Sequence, residues 1–300
     1  MAEFPSLGLG VALREPHFEQ ILTQWPAIDW FEATPENHLG PATVARAVLR
    51  RVAERYPVAL HSVSIGISGL AEPRRTYLQA LKQLADEVKA VWISDHLGPR
   101  DRLAADETRV AFLDEDLLAR TCARVRRVQD ALERPLVLEN PSSVAGSQQA
   151  TMSEPEFLRC LCEETDCGLL LDVANVYASC LNGGVDPRLY LDAVPWERVV
   201  QLHVGGLEWS GRQVVDTHEG PVDVAVWELF RTAWRRSGGA STSLEWDGAV
   251  PALPRLHAEV LRARAYMPGG SASDEGLVER RRGEGDLVAA QAHLATKSVL

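Results

Sequence analysis

The chain has 300 residues, 46% of them hydrophobic and 24% charged, an ordinary globular mixture long enough to bury a large core. Its formal net charge of −11 argues against nucleic-acid binding, which needs a basic surface. No apolar run approaches the ~20 residues needed to cross a bilayer, and residues 1–10 lack the basic and apolar regions of a signal peptide, so the expected compartment is the cytoplasm.

Short β-rich runs and amphipathic helical stretches alternate along the chain. The predicted strands fall at 7–13, 29–33, 58–64, 91–97, 135–140, 168–175, 198–205 and 241–247. Several are almost continuously apolar, as Leu169, Leu170 and Leu171 show, which is how a parallel strand covered on both faces reads. Helices are predicted between them. Over 42–56, Val44, Val48 and Val52 lie on one stripe; over 72–90, Leu78, Leu81, Leu84 and Val88 do the same. The helix over 114–132 opens with an acidic turn that suits the helix dipole. At the next, Ser153 reads as an N-cap, Pro155 as the second helical residue and Glu156 as the end of a capping box. Helices over 222–237 and 253–266 complete the set, with Trp227 and Trp234 as face packing. The five cysteines form no CxxC pair and read as small, mostly buried thiols.

Eight strand–helix units predict a (β/α)₈ barrel over residues 1–267. An open doubly wound sheet would need a Gly-rich loop after its first strand; Gly8 and Gly10 are too sparse and sit at the strand's start. Residues 268–300, rich in Gly, Ser and mixed charge, read as a flexible C-terminal tail.

The polar residues then concentrate at strand ends. His61 closes the third strand, Ser94-Asp95-His96 the fourth and Glu139-Asn140 the fifth. Asp172 through Asn175 closes the sixth. His203 lies on the seventh, with Asp216-Thr217-His218 after it, and Glu245-Trp246-Asp247 ends the eighth. In a barrel these ends converge on one mouth. So many ionisable groups, buried without a compensating cation, would cost several kcal/mol each. His61, His96, His203 and His218 with Glu139, Asp172, Asp216 and Glu245 therefore form the candidate ligand set, with Asn175 as a further oxygen donor. Imidazole with carboxylate suits iron, manganese or zinc, and this many ligands suit two or three ions. Asp95 and Asp247 are the candidate catalytic residues, read as partners that orient ligands rather than as ligands themselves. Glu32 and Glu36 are either rim charges or substrate contacts, whereas His17, His38, His257 and His293 read as ordinary packing or surface residues.

Taken in order, these motifs resemble the multinuclear non-heme iron-dependent oxidative enzymes. They are Asp29-Trp30-Phe31-Glu32 with Glu36-Asn37, Leu60-His61-Ser62-Val63-Ser64, Ser94-Asp95-His96-Leu97, Glu139-Asn140-Pro141-Ser142-Ser143, Leu171 through Tyr177, Val200 through His203, Val215 through His218 and Leu244 through Asp247. The resemblance covers residues 4–267. It implies a triosephosphate-isomerase-type barrel holding two or three iron ions on the candidate ligands. It also implies dioxygen as co-substrate, a ribosomally made precursor peptide modified at Cys, Asp or Asn, and a small partner protein that binds the peptide leader. This chain departs from the pattern at Ala174, Leu207 and Gly98-Pro99, positions that bear on the substrate more than on the metals. Two other readings stay open: a divalent-metal sugar isomerase or endonuclease-like barrel, and a peptide-binding member without turnover.

Overall fold

A computed structural model describes residues 4–40, 43–69, 71–97, 113–141 and 150–267. Eight parallel strands close into a barrel. They are β1 (Leu9–Ala12), β2 (Trp30–Ala33), β3 (Val58–Ser62), β4 (Ile93–His96), β5 (Leu136–Glu139), β6 (Gly168–Asp172), β7 (Val199–Gly205) and β10 (Ser241–Glu245). The ring runs β1-β10-β7-β6-β5-β4-β3-β2, each predicted strand pairing with its sequence neighbours and β1 closing on β10. The remaining two, β8 (Leu207–Ser210) and β9 (Gln213–Asp216), form a separate antiparallel hairpin at the end of β7. The helices are α1 (Phe18–Gln24), α2 (Val44–Ala53), α3 (Arg75–Val88), α4 (Glu115–Leu132), α5 (Glu154–Thr165), α6 (Val173–Gly183), α7 (Pro187–Ala193), α8 (Val224–Arg236) and α9 (Leu253–Leu261).

The core has two layers, and strand alternation separates them. Outward-facing residues such as Val11, Phe31, Leu60, Ile93, Leu138 and Leu171 pack against the helices. Alternate residues face inward, where Trp30, Ala59, Trp92, Val137 and Leu170 form a second cluster filling the lower barrel. Gly10 makes room for this filling, since a Cβ there would lie 2.4 Å from the Trp30 ring.

The eight strands and the main helices stand where the sequence places them, but several local readings do not. Residues 173–175 are not strand: Asp172 ends β6 and its carboxylate accepts a bond from the Asn175 N–H, so α6 begins at Val173. A short apolar run cannot by itself tell a buried strand from a buried helix. Ser153 precedes α5 but its side chain makes no capping bond, whereas Asp114 does cap α4. Helices α1, α6 and α7 and the hairpin are additional to the sequence reading. His17 and His38 are buried, the former bonded to the Pro251 carbonyl, and Trp227 packs in the core of α8. Residues 268–300, His293 and Gly98-Pro99 lie outside the described residues. The cysteines are free thiols, of which Cys160 is the half-buried one.

Candidate metal centre

The inner core fixes where the polar residues go. Six of the candidates follow an inward residue by two positions and so face inward too, about 7 Å nearer the C-terminal mouth. His61 follows Ala59, Glu139 follows Val137, and Asp172 follows Leu170. His203 follows Gln201, Glu245 follows Ser243, and on β4 Ser94 and His96 follow Trp92 in turn. The same alternation puts Glu32, two beyond Trp30, inside the barrel.

The candidates form one continuous constellation. Glu139 Oε2 lies 3.3 Å from His61 Nε2 and 3.2 Å from His96 Nε2. Glu245 Oε2 lies 3.3 Å from His203 Nδ1 and 3.1 Å from His218 Nδ1. His218 Nε2 in turn sits 3.1 Å from Asp172 Oδ2 and 3.0 Å from Asp216 Oδ2. Four overlapping groups bring their donor atoms within 4.8 Å of one another: His61, His96 and Glu139; His61, His203 and Glu245; Glu139, Asp172, His203 and Glu245; and Asp172, Asp216 and His218. Asn175, a candidate of a different donor type, is buried in the first turn of α6.

Whether metal ions fit can be judged from the hydrogen bonds. Glu139 is 1% exposed, and neither of its carboxylate oxygens has a hydrogen-bond partner. The same holds for His203 Nδ1, Asn175 Oδ1 and Asp216 Oδ1. Buried polar atoms almost always find partners, so five such atoms gathered on this one constellation are donors that could hold cations. Proton affinities tell the same story. Burial works against charge on Glu139, yet His96, His203 and His61 hold it at about 2. Burial also opposes charge on His203 and His218, but Glu245 and the neighbouring carboxylates raise both well above the ordinary imidazole value. Burial pushes Asp216 up to about 6. Without cations the cluster balances its charge by holding protons; divalent ions would replace them.

Groups behind the cluster hold it in place. Ser94 Oγ lies 2.9 Å from His61 Nδ1, which leaves Nε2 facing Glu139. Glu32 is not a rim charge: it is 3% exposed and its Oε2 sits 2.8 Å from His203 Nε2. Gln201 Nε2 donates to Glu32 Oε1 at 2.8 Å and Trp92 Nε1 donates to Gln201 Oε1 at 2.8 Å. The Glu32 carboxylate favours a proton on His203 Nε2 over the Gln201 amide nitrogen, 2.7 Å from the same atom, and a proton there leaves the Nδ1 lone pair toward Glu139 and Glu245. Asp95, 2% exposed, faces the outer side of β4, where its Oδ2 accepts from the Gly66 N–H and its Oδ1 lies 3.8 Å from His96 Nδ1. Asp247 belongs to none of the donor groups; it pairs with Arg14, while its backbone N–H bonds the His218 carbonyl. Glu36 accepts from the Tyr77 hydroxyl and the Val63 N–H, bracing the segment after β3.

Glu32→Gln tests the backing chain. Metal affinity is expected to fall roughly 10–100-fold with the fold intact, read by metal titration against melting temperature. Unchanged affinity would remove Glu32 from the account.

The family model described as "RiPP precursor modification enzyme MbnB/TglH/ChrH" matches residues 8–268. The chain belongs to this family. It is therefore an enzyme of ribosomal-peptide modification, and a peptide is the class of substrate that membership implies. Among its relatives, a UPF0276 protein of Anaeromyxobacter sp. is 42% identical over 259 residues, 86% of this chain and 92% of the relative. A UPF0276 protein of Caulobacter vibrioides is 40% identical over 270 residues, 89% and 96% of the two chains. Solved structures add the fold. An L-ribulose 3-epimerase superposes with TM-score 0.58 at 18% identity, over 93% of this chain and 97% of that one. A D-tagatose 3-epimerase-like protein gives 0.57 at 13%, over 86% and 96%. At such identities the likeness is one of barrel architecture alone. No helix among the described residues is long and apolar enough to cross a membrane.

Proposed function

We propose that this family member is a multinuclear non-heme iron enzyme that uses dioxygen to oxidise a ribosomally made precursor peptide. The observation that carries the metal reading is Glu139: a buried carboxylate with two unpartnered oxygens, aimed among His61, His96 and His203. His61, His96 and Glu139 would hold one ion. Asp172, Asp216 and His218 would hold another, with Asn175 beside them. His203 and Glu245 lie between and would complete the shell of either ion or help to hold a third. Iron bound there supplies electron transfer and open positions for dioxygen and substrate, which side chains alone lack.

The protein's own contribution is placement. Ser94, Glu32 and Gln201 set the tautomers and angles of two imidazoles. Asp95 ties the His96 end of β4 to Gly66, and Asp247 ties the His218 segment to Arg14. In this reading both aspartates position ligands. The Trp30 and Trp92 rings fill the barrel beneath and exclude water from that side. Oxidation falls on Cys, or on Asp or Asn, of the peptide, and a small leader-binding protein delivers it.

Elemental analysis tests this directly. The protein is expected to carry two or three iron ions, and chelation to lower the melting temperature by on the order of 10 °C. Iron-loaded protein with the peptide encoded beside its gene should consume dioxygen. Zinc or manganese in place of iron, without oxygen uptake, would favour an isomerase-like barrel.

A further inference from the structure

Among the described residues, the β8–β9 hairpin has one edge closed and one edge open. Its two-residue turn places Gly211 at φ 65, and Trp209 stands opposite Val214. Val214 does not bond across to Trp209: its N–H donates to Asn182 Oδ1 and its carbonyl accepts from Asn182 Nδ2, both at 2.8 Å. Asn182, on α6, thus caps the β9 edge. In an antiparallel pair the residue opposite such a position also turns its backbone outward. The Trp209 N–H and C=O, and by alternation those of Leu207, therefore face the other way, and no partner meets them among the described residues. Trp209 is also the most exposed aromatic residue near the site, at 68%. The edge leads inward: Leu207 pairs with Asp216, whose carboxylate lies 3.0 Å from His218 Nε2.

An unpaired strand edge is a template for an extended chain. The family acts on peptides, and this edge ends at the candidate centre. We infer that an extended segment of the precursor peptide docks as a third strand along β8, bonded to the main chain of Trp209 and Leu207, so that the residues beyond it enter the metal mouth. Trp209 to Leu207 spans about 7 Å, so the modified residue lies within a few positions of the docked segment. The inference rests on the proposed function only for the identity of the occupant.

Backbone pairing is testable apart from metal chemistry. Peptides of random sequence, displayed on their mRNA, are selected on metal-loaded protein, with the Trp209→Pro variant as counter-selection. Proline is tolerated at an outward-facing edge position and deletes the outward N–H together with the exposed indole, and Trp209→Ala removes the indole alone. Binders are expected to survive counter-selection, to lose at least tenfold in affinity on W209P, and to lose less on W209A, which keeps the N–H. Hydrogen exchange at the amides of Leu207 and Trp209 should slow on binding. No surviving binder, or binding without protection of those amides, overturns the docking inference. Metal content is measured on the same samples; protein without iron would instead count against the oxidase reading and leave the docking result standing.

Discussion

Glu139→Gln is expected to remove at least one metal ion per chain and to lower peptide oxidation by on the order of 10³-fold, about 4 kcal/mol of barrier. Glu139 belongs to two of the four donor groups, one with His61 and His96 and one with Asp172, His203 and Glu245. Losing its charge therefore weakens both halves of the centre. The amide keeps the shape of the side chain but turns an NH₂ group toward imidazole nitrogens that must face a cation. The barrel should survive, because the Glu139 side chain makes no hydrogen bond that supports it and its backbone bond to Leu97 is untouched. Chelated wild type and chelated variant are expected to melt within about 4 °C of each other, a difference worth roughly 1 kcal/mol in a domain of this size. Metal analysis, an oxygen electrode and a thermal melt read the three quantities. A variant with its full metal complement and normal turnover would exclude Glu139 as a ligand.

Gly205→Ala should disable the other half of the centre without touching a ligand. Gly205 ends β7, and a Cβ there would lie 2.4 Å from His218 Cδ2. That is closer than real Cβ contacts come, so one side must move. The His218 ring has little freedom, since Asp172, Asp216 and Glu245 hold its two nitrogens at 3.0–3.1 Å. Its own backbone is in the left-handed region, φ 50, where the chain is already committed to one path. Gly205 itself has an ordinary φ, so alanine brings no backbone penalty and the effect is steric. We expect loss of about one ion and at least a hundredfold loss of activity, as for a misplacement near 1 Å. The ion held by His61, His96 and Glu139 should remain. A spectroscopic signature of that remaining iron distinguishes local displacement from unfolding. Wild-type metal content in this variant would show that His218 is not bound.

The sequence determined the barrel by itself. Eight apolar runs, each followed by a helix, have one economical arrangement, and parallel strands covered on both faces announce themselves by continuous apolarity, as in Leu169 through Leu171. It also placed His61, His96, Glu139, Asp172, His203 and Glu245 at strand ends, because a period of two sends alternate residues to the same face. Their convergence followed from the closure of the ring alone.

What the tertiary structure decided is how groups far apart in the chain meet. Glu32 supports His203 across the barrel's interior, 171 residues away in sequence, and no local pattern separates such a carboxylate from a rim charge. Asp216 and His218 reach the centre because the hairpin folds back over Gly205 and Gly206; a Cβ at Gly206 would meet the Glu219 carbonyl at 1.9 Å. Asp172 ends a strand, caps a helix and faces His218 at once, three roles that sequence order shows as one apolar run continuing past it. Periodicity sets which face a side chain takes, because that depends on neighbouring residues. Partners depend on which strands closure brings opposite one another, and that is settled when the whole core packs.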